Sequence, residues 1–145
     1  MTVEMETASR MEIADAMQMA AETFAVGEGM AVNDAHFFAL AFREALVNAI
    51  RHGHASSANQ RIRIRFEKIG DKLVFSVRDR GPGFDPRTVP DPREPENMRR
   101  GSGRGVFYMR RLTDKASFEF PVDGGTVVRL EKQLPPGVRP QETES

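Results

Sequence analysis

The chain contains no cysteine and no tryptophan, one tyrosine and three histidines. Without cysteine there is neither a disulfide nor a thiolate metal site, and the histidines do not have the spacing of a zinc site. Any metal that binds is therefore expected to be a hard cation with oxygen ligands.

The chain also lacks a net charge and a long hydrophobic run. Its 21 Lys and Arg balance 21 Asp and Glu, so we expect no direct nucleic-acid partner. No window approaches the ~20 apolar residues that a membrane span needs, and residues 1–10 have neither the basic start nor the apolar core of a signal peptide. We therefore predict a cytoplasmic protein without membrane contact.

The length of 145 residues fits one compact domain. We assign residues 1–134 to this domain. Residues 135–145 are rich in proline and glutamate and are predicted to form a disordered tail.

The start of the chain has the pattern of a strand followed by a helix. Residues 2–7 alternate weakly, as an edge strand does. Ser9 and Glu12 have the spacing of a capping box, which predicts a helix from about Arg10 to Ala25.

A second, longer helix is predicted to begin at an Asn33 or Asp34 cap and to end near Gly53. One face of it should pack on a sheet, because apolar residues recur at helical spacing. These residues are Phe38, Ala41, Phe42, Ala45, Leu46, Ala49 and Ile50.

Glu44, Asn48 and His52 follow one another at intervals of four residues on this second helix. Such side chains form one stripe that drifts by only ~40° per step. The stripe is either a solvated helix face or one wall of a site, and the motifs that follow favour the site.

Strict alternation predicts strands at residues 61–66 and 72–79, joined by a hairpin at Gly70-Asp71. The arginines of the first strand are expected on a solvated sheet face rather than in a nucleic-acid patch. Residues 115–121 and 126–133 should form a second strand pair.

The stretch from Gly81 to about Arg104 loses this regularity, and its prolines keep it from forming a helix. A loop of this length in a compact domain is usually a lid or a disordered insert. A short third helix is predicted after it, ending near Thr113.

Two glycine motifs flank this irregular stretch. In Asp79-x-Gly81-x-Gly83 a strand ends on a carboxylate, which can accept a hydrogen bond from an exocyclic amine. The glycines let the backbone approach a flat ring. The second motif stands before a helix, where backbone N–H groups can meet phosphates. It consists of Gly101, Gly103 and Gly105.

In this order the motifs resemble the N, G1, G2 and terminal Gly-Thr boxes of the GHKL nucleotide-binding superfamily. They are Glu-x-x-x-Asn on a helix, Asp-x-Gly-x-Gly-Phe after a strand, Gly-x-Gly-x-Gly before a helix, and Gly125-Thr126. The sequence Glu-Ala-Leu-Val-Asn-Ala-Ile-Arg-His-Gly is most similar to that of the serine/threonine-protein kinase anti-sigma factors.

The resemblance implies an α+β fold, the Bergerat ATP-binding fold, with helices on one face of a mixed, mainly antiparallel sheet and an ATP lid. It implies Mg-ATP as the bound nucleotide, with Asn48 as the Mg²⁺ ligand and Asp79 accepting from the adenine amino group. Gly81 and Gly83 would line the adenine pocket, and Thr126 would supply a hydroxyl.

The phosphates would lie against the second glycine motif, Gly101, Gly103 and Gly105. Arg51 and Arg104 are candidates to neutralise them, although Arg104 has a solvated lid position as an equal alternative. His52 is expected to have a structural role at the end of its helix.

Glu44 has the position of the general base that acts on a protein serine in the anti-sigma kinases. The implied function is phosphorylation of an anti-anti-sigma protein of STAS type and sequestration of a sigma factor, which is partner switching in transcription regulation. A homodimer is possible. The alternative is a binding module of the same fold that uses nucleotide without catalysis.

Overall fold

The structure is a computed structural model that describes residues 1–53, 61–79 and 109–136. Residues 109–111 are helical, and the side chain of Thr113 closes this turn by donating from Oγ1 to the Met109 carbonyl at 2.6 Å. The other elements, in chain order, are β1 (Thr2–Ala8), a 3₁₀ turn (Met11–Ile13), α1 (Ala14–Gly27), α2 (Val32–Gly53), β2 (Arg61–Ile69), β3 (Lys72–Asp79), β4 (Lys115–Glu119) and β5 (Thr126–Gln133).

The five strands form one sheet in the order β1-β2-β3-β5-β4, and all four pairings among these described strands are antiparallel. The predicted hairpin turns at Gly70, whose φ of +62° is a conformation that residues with a Cβ rarely adopt. Helix α2 packs on β3 and β5, and α1 packs against α2. The expected two-layer α+β sandwich is confirmed.

A cluster of phenylalanine rings fixes α2 on the sheet. The ring of Phe75 on β3 stacks on Phe38 of α2 at a centroid distance of 4.5 Å, and the ring centroids of Phe75 and Phe66 of β2 are 4.6 Å apart. Phe42 meets the Phe66 ring edge-on at 5.2 Å. Such pairs add about 0.5–1.5 kcal/mol each beyond the burial of their surface, so the cluster sets where α2 lies.

Strand β2 has the predicted alternation. Ile62, Ile64 and Phe66 face the helices and are buried, whereas Arg63 and Arg65 are exposed on the opposite face of the sheet. The Arg65 guanidinium lies 3.0 Å from a carboxylate oxygen of Glu67 on the same strand. The prediction that these arginines lie on a solvated face of the sheet is confirmed.

The predicted start of the first helix is wrong. The chain enters α1 through the 3₁₀ turn. The N-cap of that turn is Arg10 and the N-cap of α1 is Ile13, and neither makes a side-chain capping bond. Ser9 is 2% exposed, and its hydroxyl has no hydrogen-bond partner among the described residues. The capping-box pattern with Glu12 fails because β1 continues to Ala8 and turns Ser9 into the interior.

Helix α2 also begins earlier than predicted. Its first residue is Val32, and the Ala35 N–H donates to the Ala31 carbonyl at 2.8 Å. Asn33 and Asp34 therefore lie inside the first turn instead of capping it. A carboxylate in this turn interacts favourably with the helix dipole, so Asp34 still favours the helix start. None of the helices within the described residues is long and apolar enough to span a membrane.

Candidate functional site

Residues 45–50 of α2 are all buried, and they include the polar Asn48. Asn48 is 3% exposed, because α2 packs on β3 and β5 here. Its Nδ2 atom has no hydrogen-bond partner within the described part of the chain. An unsatisfied buried amide costs about 1–3 kcal/mol, which indicates that Asn48 is retained for something other than stability.

Glu44 lies one helical turn before Asn48 and is half-buried. Its carboxylate has no hydrogen bond or ion pair with the residues that the structure describes, so both of its oxygens are available as acceptors. Arg51 is on the last turn of α2 with an exposed side chain. The side chain of His52 lies outside what the structure describes.

Asp79 and Thr126 are direct partners across β3 and β5. Each lies an even number of residues from core positions on its strand, Phe75 and Val128, so both side chains are on the helix-covered face. They are 4% and 1% exposed. Directly opposed Cβ atoms lie about 4.5–5.5 Å apart, so a carboxylate and a hydroxyl are held side by side in the interior.

The hydroxyl of Thr126 has no hydrogen-bond partner among the described residues. Together with the Asn48 amide, it gives two buried polar groups on the elements that α2 and the sheet bring together. Buried polar groups are normally paired. A polar ligand between α2 and the ends of β3 and β5 could therefore satisfy both.

An ion pair near this point was missed by the sequence reasoning. Arg78 Nη2 lies 3.2 Å from each carboxylate oxygen of Asp123, in the turn between β4 and β5. Gly124 and Gly125 follow in that turn with φ of +101° and +84°. The pair connects the end of β3 to the turn that leads into Thr126. The sequence Asp123-Gly124-Gly125 indicates this turn, but it does not indicate the partner of Asp123.

Six predicted site residues lie outside the described residues. They are Gly81, Gly83, Gly101, Gly103, Arg104 and Gly105. Their assignment to the adenine pocket and the phosphates stays a prediction, as does the lid. The residues that the structure does bring together come from α2, β3 and β5.

The described residues fit Mg-ATP. The Asn48 amide can present a hard oxygen to Mg²⁺, and Asp79 can accept from an exocyclic amine. No group of three His, Cys, Asp or Glu side chains suited to a metal ion occurs in the described ranges. A magnesium ion here would thus take most of its ligands from phosphate and water, as is usual for nucleotide-bound Mg²⁺.

The chain is similar to a known ATPase domain family and to serine-protein kinases. The histidine kinase-like ATPase domain profile matches residues 7–132. A serine-protein kinase RsbW of Bacillus licheniformis is 25% identical over 138 residues, which is 91% of this chain and 85% of the relative. A serine-protein kinase RsbW of Staphylococcus aureus is 26% identical over 113 residues, 73% of this chain and 70% of the relative.

The fold also has a solved counterpart in a crystal structure of the RsbU and RsbW domains of a Mycobacterium tuberculosis protein. The TM-score is 0.68 at 19% identity, over 96% of this chain and 34% of the solved one. The fold and the predicted GHKL resemblance are thus confirmed. Since the family profile spans most of the sequence, the chain belongs to the histidine kinase-like ATPase domain family.

Proposed function

We propose that the protein is a Mg-ATP-dependent serine/threonine kinase that phosphorylates an anti-anti-sigma protein of STAS type and sequesters a sigma factor. The observation that carries the proposal is the pairing of two residues on α2. Glu44 is half-buried, and one turn later Asn48 is buried with no hydrogen-bond partner for its Nδ2 among the described residues. The same helix packs on the strands that contain Asp79 and Thr126. The names of the serine-protein kinase relatives support the same activity.

The nucleotide would be bound by groups at two ends of the site. Asp79 would accept a hydrogen bond from the adenine amino group, with the Thr126 hydroxyl beside it, directly or through water. Asn48 would ligate magnesium, and Arg51 would approach the phosphates from the last turn of α2. When bound, Mg-ATP supplies the γ-phosphoryl group, and its magnesium ion neutralises phosphate charge.

Glu44 would act on the protein substrate. Its carboxylate accepts the proton of the serine or threonine hydroxyl while that oxygen forms a bond to the γ-phosphorus. The bond between the γ-phosphorus and the bridging oxygen breaks, and ADP leaves with the electron pair. The half-buried position suits this role, because a general base must lie within hydrogen-bond reach of the incoming hydroxyl.

Partner switching follows from the difference between the two states of the substrate. The unphosphorylated anti-anti-sigma protein competes for the kinase, and phosphorylation ends that competition, so the sigma factor is then sequestered. The protein would act in the cytoplasm, and a homodimer is the assembly that the resemblance implies.

The test is phosphate transfer from labelled ATP to the purified cognate antagonist. We expect wild type to transfer and Glu44→Gln to lose transfer by at least about a hundredfold, since a general base contributes roughly 10²–10⁴. Nucleotide affinity should be retained. Glu6→Gln makes the same chemical change at an exposed position of β1 and should behave as wild type.

Absence of transfer by wild type that binds ATP normally would refute the kinase activity. The protein would then be the non-catalytic alternative, a nucleotide-dependent binding module. Equal transfer by wild type and Glu44→Gln would instead remove Glu44 from the reaction.

A further inference from the structure

Lysine and arginine are absent from a long helical stretch of the sequence, although the chain is neutral overall. Residues 11–42, which contain α1 and the first half of α2, include no lysine or arginine. They contain the carboxylates Glu12, Asp15, Glu22, Glu28 and Asp34. The arginines of β2 lie on the opposite, solvated face of the sheet. Arg43 forms an ion pair with Asp15, and the other four carboxylates leave α1 and the first half of α2 acidic. We call this the acidic side.

Large apolar side chains are exposed on this acidic side. Met19 is 70% and Val26 41% exposed on α1, and Phe37 is 49% exposed on α2. Met19, Glu22, Thr23 and Val26 follow one another at helical spacing on α1 and form one wall of a groove of about 430 Å³. We call these four residues and Phe37 the α1 surface. Clustered exposed apolar side chains usually mark a binding site rather than chance exposure.

Contacts between α1 and α2 connect Phe37 to the α1 residues through His36. The helices run antiparallel, because Arg43 bonds back to Asp15 and Gln18, while His36 Nδ1 lies 3.6 Å from a Glu22 carboxylate oxygen. The His36 ring in turn meets the Phe37 ring edge-on at 5.7 Å. Glu22 thus lies between the apolar groups of α1 and Phe37.

We propose that the α1 surface binds a basic amphipathic helix of a partner protein. The groove extends about 10 Å from Met19 to Val26 at 1.5 Å per residue, which matches apolar anchors at i, i+3 or i+4 and i+7 of a docked helix. Methionine adapts its shape to such anchors. The carboxylates favour lysine and arginine at the rim, which raises the association rate and rejects acidic partners. The proposal does not depend on kinase activity.

The experiment uses the full chain and a fluorescein-labelled peptide of about 18 residues built from leucine and lysine in this amphipathic pattern. Fluorescence anisotropy measures its affinity. We expect binding by wild type, at least about tenfold weaker binding by the double variant Met19→Gln and Val26→Thr, and weakening by Glu22→Gln that fades at high salt. Hydrogen exchange should show that the peptide protects residues 19–26.

Val122→Thr is the matched control, because Val122 is a fully exposed apolar residue in the turn after β4. It should bind the peptide as wild type does. Met19, Val26 and Val122 are exposed and Glu22 is partly exposed, so all variants should keep their thermal midpoints within a few degrees.

Unchanged affinity of the double variant, or equal binding of a leucine and glutamate peptide of the same pattern, would overturn the proposal. Sedimentation velocity gives a further check. If the double variant converted a wild-type dimer to monomers, a second copy of this chain would occupy the surface, and the proposal would be wrong.

Discussion

Replacing Asn48 with leucine should make the nucleotide-free protein more stable and at the same time remove its response to nucleotide. The two side chains have the same number of heavy atoms and branch at the same carbon, so the leucine needs little extra room. What changes is the buried Nδ2 donor, which has no partner in the described part of the chain.

The size of the effect follows from that donor. An unsatisfied buried group costs about 1–3 kcal/mol, and leucine is better than asparagine inside a helix by a few tenths of a kcal/mol. Some of this gain is lost to imperfect packing of a tetrahedral group in place of a planar one. We expect a net gain of about 1–2 kcal/mol, which raises the melting temperature by about 3–8 °C in a domain of this size.

The assay is thermal unfolding followed by circular dichroism, without and with Mg-ATP. Nucleotide at a hundred times its dissociation constant should stabilise wild type by about 2.7 kcal/mol, whereas the Asn48→Leu variant should show no shift. Asn33→Leu is the matched control, because Asn33 is exposed on the first turn of the same helix. It should change neither value appreciably.

A destabilised Asn48→Leu variant that still gained stability from Mg-ATP would refute both parts of this reasoning. Asn48 would then be a satisfied core residue, and magnesium would be bound elsewhere.

Three further predictions concern the adenine end, an ion pair between β3 and β5, and the core. Asp79→Asn should weaken ATP binding by about 1.5–3 kcal/mol, roughly ten- to a hundredfold, because it removes a charged acceptor; unchanged affinity by calorimetry would contradict the assignment. The hydrogen bond that Lys72 donates to Glu131 at 2.6 Å lowers the pKa of that carboxyl below its ordinary 4.5. The contribution of this ion pair to folding stability is present above pH 4.5 and is lost as the pH falls through the lowered pKa. Lys72→Met should therefore destabilise the protein slightly at pH 7 and not near pH 3, as measured by urea titration. An equal loss of stability at both pH values would disprove this. Phe75→Ala should cost about 3–5 kcal/mol of unfolding free energy, and a loss below 1 kcal/mol would show that the ring cluster does not hold α2 on the sheet.

Elements with strong periodicity were predictable from the sequence. Strand β3 has the predicted bounds, Lys72–Asp79, and α2 ends at Gly53 as expected. The helix starts were not predictable. A capping pattern is a local feature of the sequence, whereas the direction in which the chain enters a helix depends on the strand that precedes it. Ser9 has the correct spacing to cap a helix, but the strand before it directs its side chain into the interior.

The site was predictable only in part for the same reason. Spacing placed Glu44 and Asn48 on one stripe, but it could not show that Asn48 is buried, which depends on how α2 packs on the sheet. Nor could it show that Asp79 faces Thr126, because their register is set by the pairing of two strands far apart in sequence. The motif order identified these residues without their geometry.

The register of β3 and β5 also determines what the protein tolerates. Asp79 and Thr126 are brought together by the sheet itself, and not by the segment from residue 80 to residue 125 that connects them. Closing a connection between two fixed ends costs only about 0.6 kcal/mol more for each doubling of its length. A change in the length of residues 80–108 should therefore alter the entropy cost of closing this connection only slightly, while the strand register keeps the carboxylate and the hydroxyl side by side.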